Sequence, residues 1–310
     1  MKSEQKQPLV SVIVPNYNHA RYLEQRLDSV FGQTYLNFEV IILDDCSTDN
    51  SLEVISRYKN NPHLSQIVVN ETNSGSPFKQ WDKGINLAKG ELIWIAESDD
   101  YCELNMLEEL VGEWSRHSEA VLVYTPACFV DDDGMQYRIP PKGRAQHYNG
   151  VEYVKRYLSM YNYVENASEV IFARQAALNV SPAYMQMKGA GDYQFWTEIA
   201  LQGSVVIVHQ KLSYFRRHSG AVTGDRSLDG TLAREEKLVL DYQLAHTRFT
   251  PLRIRLIYAY RTMRIENPMW QENIKKQMEE LWHFNQHKGH LDSLMAKTYR
   301  RFVKYLNYHI

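Results

Sequence analysis

The sequence is short of cysteine, of net charge and of long apolar runs, and each shortage removes a class of protein. Its three cysteines, Cys46, Cys102 and Cys128, have no metal-ligand spacing and are odd in number. That excludes a disulfide-stapled scaffold and fits a reducing compartment. No apolar run approaches the roughly 20 residues of a membrane span, and the opening Met-Lys-Ser-Glu-Gln-Lys-Gln-Pro lacks the apolar core of a signal peptide. A soluble, cytoplasmic protein is expected. The formal net charge is only −2, so bulk charge gives no reason to expect a nucleic-acid partner. Internal repeats and low-complexity tracts are missing too.

The charge that is there is uneven. From His246 to Ile310, 12 Lys and Arg stand against 5 Asp and Glu, a local excess of +7 that leaves −9 on the rest of the chain. The most informative stretch lies in the acidic part, Glu91 to Asp100. Leu92, Ile93, Trp94, Ile95 and Ala96 form an almost continuous apolar run, the pattern of a strand buried on both faces of a parallel sheet. It ends in Glu97, Ser98, Asp99 and Asp100. Open α/β sheets bind ligands at the carboxyl ends of their strands. The adjacent acids Asp99 and Asp100 suit a hard divalent cation, Mg2+ or Mn2+, bridged to a substrate's phosphates. A surface turn that caps the next helix is the competing reading.

Before this stretch the pattern alternates between strands and helices. Leu9 to Val14 reads as a buried strand stopped by Pro15-Asn16-Tyr17-Asn18. Leu23, Leu27, Val30 and Phe31 recur at helical spacing, and Phe38 to Leu43 is a second strand running into Asp44 and Asp45. A helix from about Asn50 to Lys59, a strand over Gln66 to Val69 and a helix over Phe78 to Ala88, closed by Gly90, complete the units. This alternation predicts an α/β fold, a doubly wound parallel sheet. Farther on, Glu103 to His117, Gly150 to Met160 and Asp192 to Leu201 read as helices. Ala120 to Tyr124, Glu169 to Ala173, Ser204 to Val208 and Leu212 to Phe215 read as strands, and Asp131 to Gly134 as a hairpin turn. Beyond Thr231 the pattern is helical.

Five motifs in order resemble family 2 of the glycosyltransferases: Val12-Ile-Val-Pro15-Asn-Tyr17-Asn18; Leu43-Asp44-Asp45-Cys-Ser47-Thr-Asp49; Ala88-Lys-Gly90-Glu with Ser98-Asp99-Asp100; Gly191-Asp192-Tyr-Gln-Phe-Trp196; and Tyr214-Phe-Arg216-Arg217-His218. The resemblance covers about residues 8 to 223. It implies a GT-A fold and an inverting transfer of one sugar from a UDP- or TDP-linked donor to a glycan or lipid-linked acceptor, as in cell-surface polysaccharide synthesis. With the residue pattern it divides the chain into a tail over residues 1–7, a glycosyltransferase domain over 8–230 (nucleotide-sugar half 8–125, acceptor half 126–230) and, from the pattern alone, a helical region over 231–310. One segment departs from the family pattern: an Arg-Asn pair is common before Gly84, whereas this chain has Lys79-Gln80-Trp81-Asp82. The partner of the base or diphosphate on that side is left open.

The residues support roles in that chemistry. Asp45, past a strand end, suits the imide N–H of uracil or thymine, because a carboxylate accepts and cytosine's ring nitrogen offers no donor; the plainer reading is that it ends the strand. Pro15, Tyr17 and Asn18 line the neighbouring strand end, with Tyr17 either packed on the base or buried. Asp100 is the first choice for direct metal contact, and Asp99 for ribose or for metal through water. Asp192 is the candidate base for the acceptor hydroxyl, a role compatible with capping its helix. His218 is a candidate ligand for metal or phosphate, or else a surface residue. Arg216 and Arg217 suit the diphosphate, with one of them directed to solvent. In the basic tail, Leu252, Leu256, Ile257, Tyr260 and Met263 share a helical face beside Arg253, Arg255, Arg261 and Arg264. That face either covers the domain or rests on anionic lipid as a peripheral membrane contact. Two other functions fit less well. A nucleotidyltransferase normally has a glycine-rich basic loop after the first strand, and Pro15-Asn-Tyr-Asn-His-Ala is neither. A non-catalytic nucleotide-sugar-binding protein has little need to retain Asp45, Asp100, Asp192 and His218 together.

Overall fold

The structure is a computed structural model that describes residues 7–140, 142–217, 229–265, 272–282 and 298. Its first half follows the alternation read from sequence. Strands β1 (Val10–Asn16), β2 (Phe38–Asp44), β3 (Leu64–Val69) and β4 (Leu92–Ile95) pair in parallel in the order β3-β2-β1-β4. Helices α1 (Ala20–Phe31), α2 (Ser51–Ser56) and α3 (Pro77–Leu87) form the crossovers. Successive strand residues point to opposite faces, and the core divides accordingly. Val10, Val12, Val14, Val40, Ile42, Leu92 and Trp94 pack with Leu23 and Leu27 of α1. Ile13, Ile41, Leu43, Ile93 and Ile95 pack with Phe78, Trp81 and Ile85 of α3. Both faces of the sheet are therefore covered along β1, β2 and β4, which is why these three strands read as largely apolar runs.

Two local expectations are corrected here. Pro15 does not stop β1, which continues through Asn16 in register with Asp44. Ile13 O accepts from Ala96 N and Asn16 O from Asp45 N, so alternate residues face β4 and β2, and Pro15 faces β4. The β1–β4 ladder ends at the Ile13–Ile95 pair, so the missing N–H costs no ladder bond. Gly90 is not a left-handed helix terminator. A Cβ there would lie 2.6 Å from both Leu9 O and Ser11 N, so the residue is glycine because two backbones nearly touch.

The second half departs further from a doubly wound parallel sheet. After β5 (Tyr101–Cys102) and α4 (Met106–Arg116) come β6 (Ala120–Tyr124), β7 (Cys128–Val130), β8 (Gln136–Arg138), β9 (Gln146–Asn149), α5 (Gly150–Tyr153, running into a π-turn over Val154–Leu158), β10 (Val170–Ala173), α6 (Arg174–Leu178), α7 (Gly191–Ala200), β11 (Ser204–Ile207) and β12 (Ser213–Arg216). The large sheet continues β4-β10-β6-β11-β9, with β10 antiparallel to both neighbours. The segment before β10 sits against the carboxyl end of β4, where Ser168 bonds Asp100. From there the chain runs back antiparallel to β4. A second sheet, β5-β12-β7-β8, packs beside that end, and β7 and β8 are joined through the predicted turn at Asp131–Gly134, where Gly134 has φ 79°.

Helices α8 (Thr231–His246), α9 (Pro251–Ile265) and α10 (Glu272–Leu281) follow. Ala233, Leu240, Ile257 and Trp282 close over Met160, which supports a covering role for this part of the tail. Leu252, placed inward by spacing, is exposed, and Arg261, placed outward, is buried because its guanidinium meets Glu236 at 2.6 Å. His218 and the tail residues from 283 to 297 and 299 to 310 lie outside the described residues, as do the side chains of Met263 and Arg264. Among the described residues no helix is long and apolar enough to cross a membrane, and all three cysteines are free thiols.

Candidate active site

The site is built around a turn at the carboxyl end of β4. Ala96 prolongs the pairing with β1, and Asp100 N then donates to Glu97 O at 3.3 Å. The turn sends adjacent acids apart: Glu97 and Asp99 stay partly exposed, whereas Ser98 and Asp100 are each 1% exposed. Ser98 Oγ bonds His19 Nδ1 at 2.8 Å. Asp100 is enclosed on every side. One oxygen accepts from Arg216 N at 2.9 Å, the other from Asn166 Nδ2 and Ser168 Oγ, each at 2.7 Å. The Arg26 guanidinium lies 3.8 Å away, also buried, and its Nε donates to Glu97 O at 2.8 Å. Burial, then the nearby Asp99 charge, pushes the Asp100 carboxyl up to about 7 against the pull of Arg26. Glu97 accepts from Trp81 Nε1 at 2.8 Å and is pushed up to about 8, again by burial and then by Asp99.

The ends of β1 and β2 form the adjoining wall. Asp44 is fully buried and accepts from Asn16 Nδ2, Ser47 N and Ser47 Oγ, so it braces the two strand ends. Asn18, in the left-handed region at φ 56°, accepts from Thr48 N at 2.7 Å and ties the β1 loop to the β2 loop. Tyr17 is 45% exposed, which settles its alternatives against burial in the core. The Asp45 carboxylate accepts from Asn70 Nδ2 at 2.6 Å, Ser74 N at 2.9 Å, Ser74 Oγ at 2.7 Å and Gln80 Nε2 at 2.9 Å. The departing segment Lys79-Gln80-Trp81-Asp82 thus reaches the site twice, through Gln80 on Asp45 and Trp81 on Glu97.

Asp192 stands in the first turn of α7 and accepts from Asn162 Nδ2 at 2.9 Å. Burial pushes its carboxyl up to about 7. The stretch that carries Asn162 also carries Asn166 and Ser168, so one segment contacts both Asp192 and Asp100. From the other side, Gly191 abuts α3, where a Cβ would lie 2.5 Å from the Phe78 ring. Arg216 is buried, and its guanidinium donates to Asp99 O at 3.0 Å, Asp131 O at 3.3 Å and Gln25 Oε1 at 2.8 Å. It frames the acid turn from below. Arg217 leaves on the opposite face of β12, over the rings of Phe129 and Phe215. Sequence reading missed Arg26, Asn166 and Ser168, for which spacing gives no signal, and Glu97 and Gln80, which lay within stretches it had already singled out.

Among the described residues no three His, Cys, Asp or Glu side chains come together as a ready-made metal cage. The donors at the turn are carboxylate oxygens whose crowding disfavours their charge, and a hard cation relieves that crowding. The donor set therefore fits Mg2+ or Mn2+ with substrate oxygens and water completing the shell.

The same carboxylates set an expected pH dependence of stability. Unfolded Asp and Glu ionise near pH 4, whereas Glu97 does so near 8 and Asp100 and Asp192 near 7. Between roughly pH 4 and 8 the native state holds protons that the unfolded chain has lost, so stability falls as pH rises. Glu169, raised well above the usual range by burial, adds to the same trend. His209, whose burial lowers its pKa, acts in the opposite sense below about pH 6.5 and is one group against four. Differential scanning fluorimetry without divalent ions should give a higher melting temperature at pH 5.5 than at pH 8. A flat or rising profile would contradict the burial of these acids.

A sequence model of the glycosyl transferase family 2 matches residues 11–179. The poly(ribitol-phosphate) beta-N-acetylglucosaminyltransferase TarS of Staphylococcus aureus is 38% identical over 117 residues, which is 36% of this chain and 20% of TarS. The chain thus spans about a fifth of that relative's length. A crystal structure of S. aureus TarS 1–349 in complex with UDP-GlcNAc superposes with a TM-score of 0.69 at 20% identity, covering 88% of this chain and 79% of that one. The mannosyltransferase PcManGT from Pyrobaculum calidifontis, in complex with GDP-Man and Mn2+, does so with a TM-score of 0.58 at 16% identity, covering 98% and 83%. These likenesses show the α/β fold, a large central sheet flanked by helices.

Proposed function

Because this chain belongs to glycosyl transferase family 2, we propose that it transfers one sugar, with inversion, from a UDP- or TDP-linked donor to a glycan or lipid-linked acceptor in cell-surface polysaccharide synthesis in the cytoplasm. One observation carries the reading. The Glu97–Asp100 turn lies at the carboxyl end of β4 beside β1, where the strand order reverses and α1 and α3 cover opposite faces, the usual crevice for a nucleotide in an open α/β sheet. Residues 8–125 are proposed as the donor half and 126–230 as the acceptor half.

Asp99 takes the metal-contacting role that sequence reading gave to Asp100. Both Asp100 oxygens are spent on buried donors, and exposing one to a cation would break that cage. Glu97, beside Asp99 at the mouth, binds ribose or cation-bound water. Bound there, a divalent cation neutralises charge on the departing diphosphate. Asp192 accepts the proton of the acceptor hydroxyl as its oxygen bonds to the anomeric carbon and the bond to the diphosphate oxygen breaks on the opposite side. A base with a pKa near 7 is well matched to that task. Tyr17, exposed beside the β1 end, packs on the base. Arg216 holds the acid turn in place, and His218, next along the chain after Arg217, is kept as a candidate for the diphosphate or its cation. The packing of α8 to α10 supports a covering role for the basic tail, which lipid contact would not contradict.

Asp45 reads the base by accepting its imide N–H, which takes the place of a Ser74 donor on the carboxylate. UDP or TDP with Mg2+ or Mn2+ should raise the melting temperature more than CDP does, and Asp45→Asn should erase that preference. Equal shifts for the three nucleotides on the unaltered protein would remove Asp45 from base reading.

A further inference from the structure

Three consecutive backbone N–H groups just ahead of Asp192 converge on one distant carboxylate. Lys188 N donates to Glu235 Oε1 at 2.7 Å, and Gly189 N and Ala190 N donate to Oε2 at 2.7 and 2.8 Å. Ala190 is the residue before α7 and gives the helix no side-chain cap. The open donors of a helix start need acceptors, and a negative charge is favoured there. From α8, beyond the part of the chain that matches the family, Glu235 supplies the charge and an acceptor for Ala190 N at the helix start, and it holds the preceding turn through Lys188 N and Gly189 N.

The same helix grips α7 at two further levels. Glu236 pairs with Arg261 Nη1 at 2.6 Å, and Arg261 Nη2 donates to Tyr193 Oη at 3.0 Å, next in sequence to Asp192. Gln243 Nε2 donates to Thr197 Oγ1 at 3.0 Å. On the opposite side Asn162 fixes the Asp192 carboxylate itself. Asp192 is thus held between two elements, and Glu235 accepts from all three N–H groups of the turn that precedes it.

We infer that Glu235 is a positioning residue for the base: it fixes the 188–190 turn and so the place of the Asp192 carboxylate, which makes α8 a working part of the acceptor site. The inference rests on the assignment of Asp192 as base. A glutamate that only stabilises the helix start would make the same bonds, so the test must separate stability from catalysis.

A double-mutant cycle does this. Glu235→Gln keeps the length of the side chain but sets an amide against N–H groups. UDP or TDP release is followed with the most active of a panel of UDP- and TDP-sugars and Mn2+. Misplacing a reacting group by about 1 Å can cost on the order of 10²-fold, so kcat should fall about 10- to 100-fold with the donor KM unchanged. In the Asp192→Asn background the same substitution should cause no further loss. Equal losses in both backgrounds, or a lowered melting temperature with kcat intact, would reduce Glu235 to a helix anchor and overturn the inference. A fully active Asp192→Asn would instead overturn the base assignment, and this inference with it. Should Glu235→Gln fail to fold, Glu235→Asp, which keeps the charge but is one methylene too short to serve all three N–H groups, carries the same cycle with the same expected outcomes.

Discussion

Asp99→Asn is expected to abolish divalent-dependent binding of UDP while leaving the fold intact, and Asp100→Asn is expected to do the reverse. Asp99 is partly exposed at the mouth of the site, and a neutral amide is a poorer ligand for a hard cation at nearly the same shape. Asp100 is 1% exposed between Arg26, Asn166, Ser168 and the Arg216 N–H. An amide there faces donors with a donor and leaves the Arg26 charge without its buried counterpart. Removing one member of a buried pair typically costs about 3–5 kcal/mol. Isothermal titration with UDP and Mn2+, and urea unfolding at pH 8, measure the two effects. If Asp99→Asn still binds UDP in a Mn2+-dependent way, the metal contact lies elsewhere.

Asp192→Asn is expected to lower sugar transfer by about 10²–10⁴-fold, the usual contribution of a positioned base, with donor affinity unchanged. Asparagine fills the same place in the first turn of α7 and can still accept from Asn162, but takes no proton. In the unaltered protein kcat should fall on the acid side of about pH 7, because burial holds the Asp192 carboxyl at that value and only its ionised form acts as base. The variant's residual rate should lack this limb. A pH–rate profile of each measures it, and a variant as fast as the parent would leave Asp192 as a helix-end residue only.

The β1–β4 half was legible because β1, β2 and β4 are buried on both faces and announce themselves as largely apolar runs, each ending at a functional loop. The orientation of β10 was not, since Val170 to Ala173 reads alike in either direction and the docking of Asn166 and Ser168 on Asp100 just before it is invisible in the sequence. The site was legible as positions but less so as roles. Asp99 and Asp100 are identical neighbours in the sequence, and a single turn sends one to the mouth and the other into a cage. The cage comes from Arg26, 74 positions before Asp100, and from Asn166 and Ser168, 66 and 68 positions after it, and no local pattern records such pairings. Arg216 looked like a phosphate ligand for the same reason: its partners, Gln25 and two backbone carbonyls, are invisible in the sequence.

Displacement at an anomeric carbon with Asp192 as base can be watched by following the anomeric proton of a UDP-sugar by NMR during transfer to an oligosaccharide in the presence of Mn2+. An α-linked donor should give a β-linked product, formed by the unaltered protein and nearly lost in Asp192→Asn. An α-linked product would contradict single displacement and, with it, the role given to Asp192.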